Sequence, residues 1–206
     1  MNMNINIKKE DVLYFGSAMK LRELSNLYEC DILFEGDVYN SVENVYQSLK
    51  FKKEDRVRFM KDGDLGGYDG LIKYGKIFYG KNKSQEELNK KMEYWKKRKC
   101  IGIIAKMSSN KKYVEKLGLT YNKEIFNDYE KKLIFKEILM IKFNNKKFNK
   151  ILEESKGKIL IEFSRSSKRN YENGIIEKWC GLVDNGVLYG NNLMGNIIMD
   201  IRKNIC

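Results

Sequence analysis

The chain has 206 residues, 40 Lys+Arg against 28 Asp+Glu, no histidine, no proline and four cysteines, for a formal net charge of +12. A hydrophobic fraction of 42% with 12% aromatics is enough to build a core despite 33% charged residues, which excludes a disordered chain. The lack of histidine excludes Ser-His-Asp and Cys-His pairs, HExxH zinc sites and any imidazole titrating near neutrality. Proton transfer, if there is any, falls to Glu, Asp, Lys, Tyr, Cys or water.

The cysteines (Cys30, Cys100, Cys180 and Cys206) are far apart and form no CxxC pair, so neither a zinc ribbon nor a thioredoxin-like motif is expected, and no metal or cofactor is called for. No apolar run approaches the ~20 residues that span a bilayer, and no signal peptide is read. The expectation is a cytoplasmic protein with reduced thiols and no membrane partner. Lysine outnumbers arginine 33 to 7, as drift in an AT-rich genome produces. The charge therefore fits either a solvated lysine-rich surface or a polyanionic partner.

In chain order, Val12–Phe15 and Asp31–Phe34 read as strands, the second ending in a turn at Glu35-Gly36-Asp37, with a loop from Lys20 to Tyr28 between them. Ser41 is placed to cap a helix over about Val42 to Lys53, whose apolar stripe is Val42, Val45, Tyr46 and Leu49. Residues 61–80, punctuated by six glycines, read as loop, and their spacing is not that of a P-loop or a Rossmann turn. Ser84 caps a long helix to about Lys106, with Glu86 and Glu87 in its first turn. Helices follow at about Lys123–Phe143 and Lys147–Glu154, a buried strand at Lys158–Phe163, and a closing helix at about Leu193–Lys203. Helices around a small sheet make the expected class α+β: a single compact, mostly helical domain over residues 1–206, with an extended middle segment at about 62–119.

Three places are able to carry chemistry. Glu43, Gln47 and Lys50, spaced i, i+4, i+7, share one helix side, and a carboxylate in a first turn is favoured by the helix dipole; a solvated polar face has the same pattern. Trp179-Cys180-Gly181 offers an indole for stacking, although most tryptophans simply pack. Gly190-Asn191-Asn192-Leu193-Met194-Gly195 precedes the last helix, where exposed N–H groups hold an anion or merely cap.

These runs also carry a resemblance. Leu24-Ser25-Asn26-Leu27-Tyr28, followed by Gly36 to Phe51 with Ser41, Glu43, Tyr46, Gln47, Lys50 and Phe51, resembles the opening signature of the YbiA-like, or NADAR, N-glycosidase family, roughly SNF/Y then G-x-x-[YW]-x-S-x-E-H-x-[YF]-Q-x-x-K-F. Lys142-Phe143-Asn144 is similar to its KF-x-x-N segment, Leu160-Ile161-Glu162 to its LVE strand, Trp179 and Gly181 to its tryptophan-glycine turn, and Asn192, Gly195, Met199 and Arg202 to its closing N-x-x-G-x-x-x-M-x-x-R helix. The resemblance implies an α+β domain that cleaves ribosyl C–N bonds without a cofactor. Its substrate is either ADP-ribose on guanine or a phosphoribosylamino-pyrimidine of riboflavin synthesis, with nucleic acid as a partner in the first case. A non-catalytic ADP-ribose-binding or NAD-binding module is the competing reading.

The resemblance puts Glu43 as the catalytic carboxylate, with Lys50 and Trp179 beside it. Ser25, Asn26, Tyr46, Gln47, Asn192, Gly195 and Arg202 are the implied substrate-binding residues. A ribose-reactive lysine, Lys20 or Lys50, is chemically compatible. The chain departs from the family at Asn44, where a histidine is usual, and at Ile176, where an aspartate is common and Glu177 or Glu172 stands nearby. A second family tryptophan falls near Asn127, with Phe126 and Tyr129 as stand-ins. The sequence leaves the oligomeric state open.

Overall fold

A computed structural model describes residues 7–122 and 126–205. Its elements are β1 (Val12–Phe15), β2 (Ile32–Phe34), β3 (Asp37–Tyr39), α1 (Val42–Ser48), α2 (Lys53–Arg56), α3 (Asp69–Tyr79), α4 (Gln85–Arg98), α5 (Ile103–Ser108), α6 (Lys111–Val114), α7 (Asp128–Phe143), α8 (Lys146–Glu154), β4 (Ile159–Glu162), α9 (Ser167–Glu172), β5 (Leu182–Asp184), β6 (Val187–Tyr189) and α10 (Leu193–Ile205). The class is α+β, helices with three two-stranded sheets in place of one small sheet. No helix of the described residues is long and apolar enough to cross a membrane. The chain divides into two compact units, one formed by the segment up to Ser25 together with that from Phe143 onward, the other by Asn26–Lys142.

In the first unit β1 and β4 pair in parallel, Val12 opposite Ile159 through Phe15 opposite Glu162. Phe15, Leu160 and Ile161 are fully buried. Helix α10 lies against β4 through Met194, Ile197, Ile198 and Ile201, the i, i+3, i+4, i+7 stripe of an amphipathic helix. Each such side chain contributes about 1.5–3 kcal/mol by leaving water. Gly195 permits the close approach, since a Cβ there would lie 2.1 Å from the Leu160 carbonyl oxygen. Strands β5 and β6 form a hairpin over Asn185-Gly186, whose φ angles of 49° and 78° are those of a two-residue turn with both central residues left-handed.

In the second unit β2 and β3 form the same kind of hairpin over Glu35-Gly36. The chain then enters α1, capped as expected by Ser41, whose Oγ accepts from Asn44 N at 3.1 Å. Every residue of α1 is buried, polar ones included. The helix packs against α5 and the 3-10 turn Val57–Phe59.

Several boundaries differ from expectation. The helix from Ser41 ends at Ser48, not near Lys53, because the next residues pair elsewhere: Lys52 N donates to Thr120 O at 3.0 Å and Asn122 N to Lys50 O at 2.8 Å. The glycine-punctuated stretch holds α3, where Gly75 lets the helix pack on Leu88 of α4; a Cβ there would sit 2.6 Å from a Leu88 methyl. The expected helix over 84–106 is two, α4 and α5, broken at Lys99, which turns left-handed with φ 53°. The capping box is as read, Ser84 accepting from Glu87 N and the Glu87 carboxylate accepting from Ser84 N. Helix α7 begins at Asp128; the expected start at Lys123 falls outside the described residues.

Candidate active site

Glu43 is 3% exposed and has a partner on each carboxylate oxygen. Gln47, one turn along α1, donates from Nε2 to Oε1 at 2.6 Å, and Asn26 donates from Nδ2 to Oε2. Asn26 holds the same residue by its backbone as well, its carbonyl accepting from Glu43 N at 2.9 Å. An ionised carboxylate is expensive to bury unless its oxygens accept hydrogen bonds, and two amide donors meet that need. No lysine or arginine neutralises Glu43 by direct contact among the described residues, so its negative charge remains available to a positive centre.

Donating to Glu43 orients the Gln47 amide, and its buried Oε1 has no hydrogen-bond partner among the described residues. Buried acceptors are normally satisfied. This one is fit to take a hydroxyl or N–H from a ligand beside the carboxylate.

Tyr46 and Lys50 complete the group. The Tyr46 ring stacks on Phe135 of α7 with centroids 4.0 Å apart, and Lys50 Nζ stands 4.7 Å over the Tyr46 ring. Burial, then the Glu43 charge and then Asp128 push the Tyr46 hydroxyl up to about 12, so it stays protonated through the physiological range. Burial pulls the Lys50 ammonium down; Glu43 opposes this, while Lys131 and Lys106 add to it.

Gly102, at the start of α5, was not singled out by sequence. A Cβ there would lie 2.6 Å from Ser41 Oγ, 2.8 Å from Glu43 Cβ and 3.1 Å from Leu27 Cα. The absent side chain lets α5 back directly onto the first turn of α1, and Gly102 N fixes the approach by donating to Leu27 O at 3.1 Å. Gly102→Ala therefore displaces Glu43. For the glycosidase activity that the sequence resemblance implies, the expected loss in kcat is about 10- to 100-fold, since misplacement by about 1 Å costs on that order. Circular dichroism showing a folded variant with wild-type kcat would refute the positioning role.

Asn44, which stands where a histidine is usual in the resembled family, faces away from this group. Its Oδ1 accepts from Ser41 Oγ at 2.6 Å, and its Nδ2 donates to Phe59 O at 3.1 Å and Gly66 O at 3.3 Å. Asn40 donates to Gly66 O as well, at 3.0 Å. The residue ties the loop over 59–66 to α1, a task an amide performs without a titrating ring.

The remaining expected residues lie in the first unit or at its edge. Ser25 is buried at the end of the N-terminal segment, its N donating to Arg22 O at 3.0 Å. Asn192, left-handed with φ 47°, brackets β4: Oδ1 accepts from Glu162 N at 3.0 Å and Nδ2 donates to Leu160 O at 2.8 Å. Arg202 donates to Ser155 O at 2.6 Å, to Ser155 Oγ at 2.9 Å and to Lys158 O at 2.9 Å, fastening the α8–β4 connection. In the structure the polar groups of this motif serve the packing of α10. Trp179 is half-buried, and its carbonyl accepts from Met194 N at 3.1 Å.

Glu177, beside that tryptophan, organises the loop. It accepts from Ser166 Oγ at 2.7 Å, Asn170 Nδ2 at 2.7 Å, Cys180 Sγ at 3.1 Å and Ser167 Oγ. Burial raises its pKa, but hydrogen bonds from Ser167, Ser164, Ser166 and Cys180 outweigh it and hold the carboxyl down at about 2. Burial and the neighbouring Glu177 push the Cys180 thiol up to about 12, which leaves it un-ionised and unreactive. A carboxyl depressed from 4.5 to about 2 stabilises the fold above pH 4.5 and loses that contribution as pH falls from 4.5 to 2. Glu177→Gln should flatten the dependence of the urea midpoint on pH across that window; a variant with the wild-type slope would assign the acid sensitivity elsewhere.

No protein-family model and no curated protein matches the sequence. The structure is similar to the NMR structure of the Escherichia coli protein YbiA, with a TM-score of 0.55 and 14% identity over 97% of this chain and 88% of that one. The fold is YbiA-like. At 14% identity the likeness extends to the backbone arrangement, and the chemistry has to be argued from this chain's own side chains. In this chain Asn26, Glu43, Tyr46, Gln47 and Lys50 belong to one unit, and Ser25, Trp179, Asn192, Gly195 and Arg202 to the other.

Proposed function

We propose that this protein is a cytoplasmic N-glycosidase that hydrolyses a ribosyl C–N bond, removing ADP-ribose from ADP-ribosylated guanine in nucleic acid. The observation that carries the reading is Glu43: a buried carboxylate without a cationic contact, held by two neutral amides next to an unsatisfied acceptor. Cleavage of a ribosyl C–N bond builds positive charge at the anomeric carbon as the bonding electron pair leaves with the base nitrogen. A fixed carboxylate in a water-poor site stabilises that charge far better than water does. Glu43 then takes a proton from the attacking water, whose oxygen bonds to the anomeric carbon, and passes that proton to the departing base nitrogen, which regenerates the carboxylate. Gln47 Oε1 accepts from a ribose hydroxyl and fixes the sugar. Lys50 supplies a cation for a phosphate, or, with its lowered pKa, an amine for an opened ribose.

The YbiA-like fold and the ordered sequence resemblance support the same reading, and the formal charge of +12 suits a nucleic-acid substrate. The test compares wild type with Glu43→Gln on DNA bearing ADP-ribosyl-guanine and on the phosphoribosylamino-pyrimidine, following released sugar phosphate by mass spectrometry. Turnover of the first substrate that is lost in the variant supports the proposal. Turnover of the second alone moves the substrate to riboflavin-type intermediates. Binding of ADP-ribose without turnover of either makes the protein a binding module.

A further inference from the structure

The middle segment carries a second feature, away from Glu43. Helices α3 and α4 meet at a turn over Gly80–Lys83, and a groove of about 550 Å³ lies along α4, lined by Tyr79, Glu87, Lys90, Lys91, Tyr94 and Trp95. Two adjoining hollows share Tyr79 with it and add Lys76, Lys81, Lys112 and Lys116. Glu87 is the one carboxylate among these lining residues. It is spent on the Ser84 cap and on Lys83, whose Nζ donates to it. Lys90 pairs with Glu86 at 2.6 Å, whereas Lys76, Lys81, Lys91, Lys112 and Lys116 have no carboxylate partner among the described residues.

The aromatic rings are interleaved with these cations. Lys91 Nζ stands 5.5 Å over Tyr79, and the Arg98 guanidinium lies 3.6 Å over Tyr94, which is itself 45% exposed and meets Trp95 edge-on at 4.9 Å. On α4 the pairs Lys90/Tyr94 and Lys91/Trp95 are each four residues apart and so lie on a common side. From Glu87 to Trp95 the helix rises about 12 Å at 1.5 Å per residue. A face of that length spans a few nucleotides of a strand.

A solvated lysine face has no need of an exposed tyrosine in a groove, and an acidic peptide offers few flat rings to meet one. Phosphodiesters with bases satisfy both the cations and the rings. We infer that the α3–α4 groove binds single-stranded nucleic acid, with lysines on the phosphates and Tyr94 stacked on a base. This deepens the proposed function by naming where the polymer is held; it rests on that reading for its purpose and is measured without it, on unmodified strand.

The experiment is fluorescence anisotropy of a labelled 15-nucleotide single strand across a salt series. Wild type is compared with Lys76→Gln/Lys91→Gln/Lys112→Gln and with Tyr94→Ala, each checked for folding by circular dichroism. The triple variant should bind at least 10-fold more weakly and lower the salt slope by about 2, at about 0.7 per phosphate contact. Tyr94→Ala should weaken binding about 5- to 100-fold with little change in slope. Unchanged affinity in both folded variants overturns the inference. So does equal or tighter binding to polyglutamate, to vesicles of anionic lipid or to duplex DNA. Absence of glycosidase activity from the wild type, with strand binding intact, counts against the Glu43 chemistry and leaves the groove standing.

Discussion

Glu43→Gln is expected to lower N-glycosidase kcat by at least 10²- to 10³-fold while leaving the protein folded. The magnitude follows from what the carboxylate does. Its removal takes away a full negative charge from a position where positive charge develops, and preorganised electrostatic groups of that kind are worth about 2.7–4 kcal/mol each. Loss of the water-activating base adds to this. Folding survives because glutamine is nearly isosteric and retains an oxygen acceptor for Asn26 or Gln47. Its new amide does meet one donor head-on, so a stability loss of about 1–3 kcal/mol is expected, small beside the change in rate. The discriminating readout is kcat at saturating substrate with KM nearly unchanged, because the interaction is made mainly in the transition state. Wild-type kcat in a folded variant would remove Glu43 from the mechanism.

The pair Glu43 and Gln47 was legible because their i, i+4 spacing survives in α1, and the Ser41 cap, the Ser84 capping box, α8, β4 and α10 were legible for similarly local reasons. What could not be read is the burial of that polar side. Periodicity describes α1 as amphipathic, whereas every one of its residues is enclosed, and Asn44 at 0% exposure serves the loop over 59–66 instead of water. Asn26 enters only through the resemblance, since no local pattern links it to a residue 17 positions away. Helix α3 was hidden by its own glycines. Gly70 and Gly75 lower helix propensity, but they are there because Ile104 and Leu88 occupy the space a Cβ would need. The hairpin over Asn185-Gly186, by contrast, has a strong local signal in its own Asn-Gly pair, which suits a two-residue turn with both residues left-handed. Gly102 had no signal at all: its importance is the distance to Glu43, a property of tertiary packing alone.

Gly195→Ala is expected to be strongly destabilising. The added methyl would sit 2.1 Å from the Leu160 carbonyl oxygen and within 2.6 Å of both terminal atoms of the Asn192 side chain. A backbone carbonyl in a paired strand cannot swing aside as a lysine tip can, so α10 must move off β4. Overpacking of this kind costs about 1–3 kcal/mol. The shift also loosens the Asn192 bridge, whose two hydrogen bonds at 3.0 and 2.8 Å hold β4, and leaving such buried groups unpaired costs about 1–3 kcal/mol more. The sum, about 2–6 kcal/mol, is a large share of the 5–15 kcal/mol typical of a folded protein. For a chain of this size it lowers Tm by about 4–24 °C. Gly67→Ala is the control, because nothing lies within 4 Å of the new methyl and the backbone there is not left-handed; its expected effect is within about 0.5 kcal/mol. Thermal melts of the two variants with equal Tm would mean that the closing Asn-x-x-Gly motif is not a packing device and that its role must be sought in ligand contact instead.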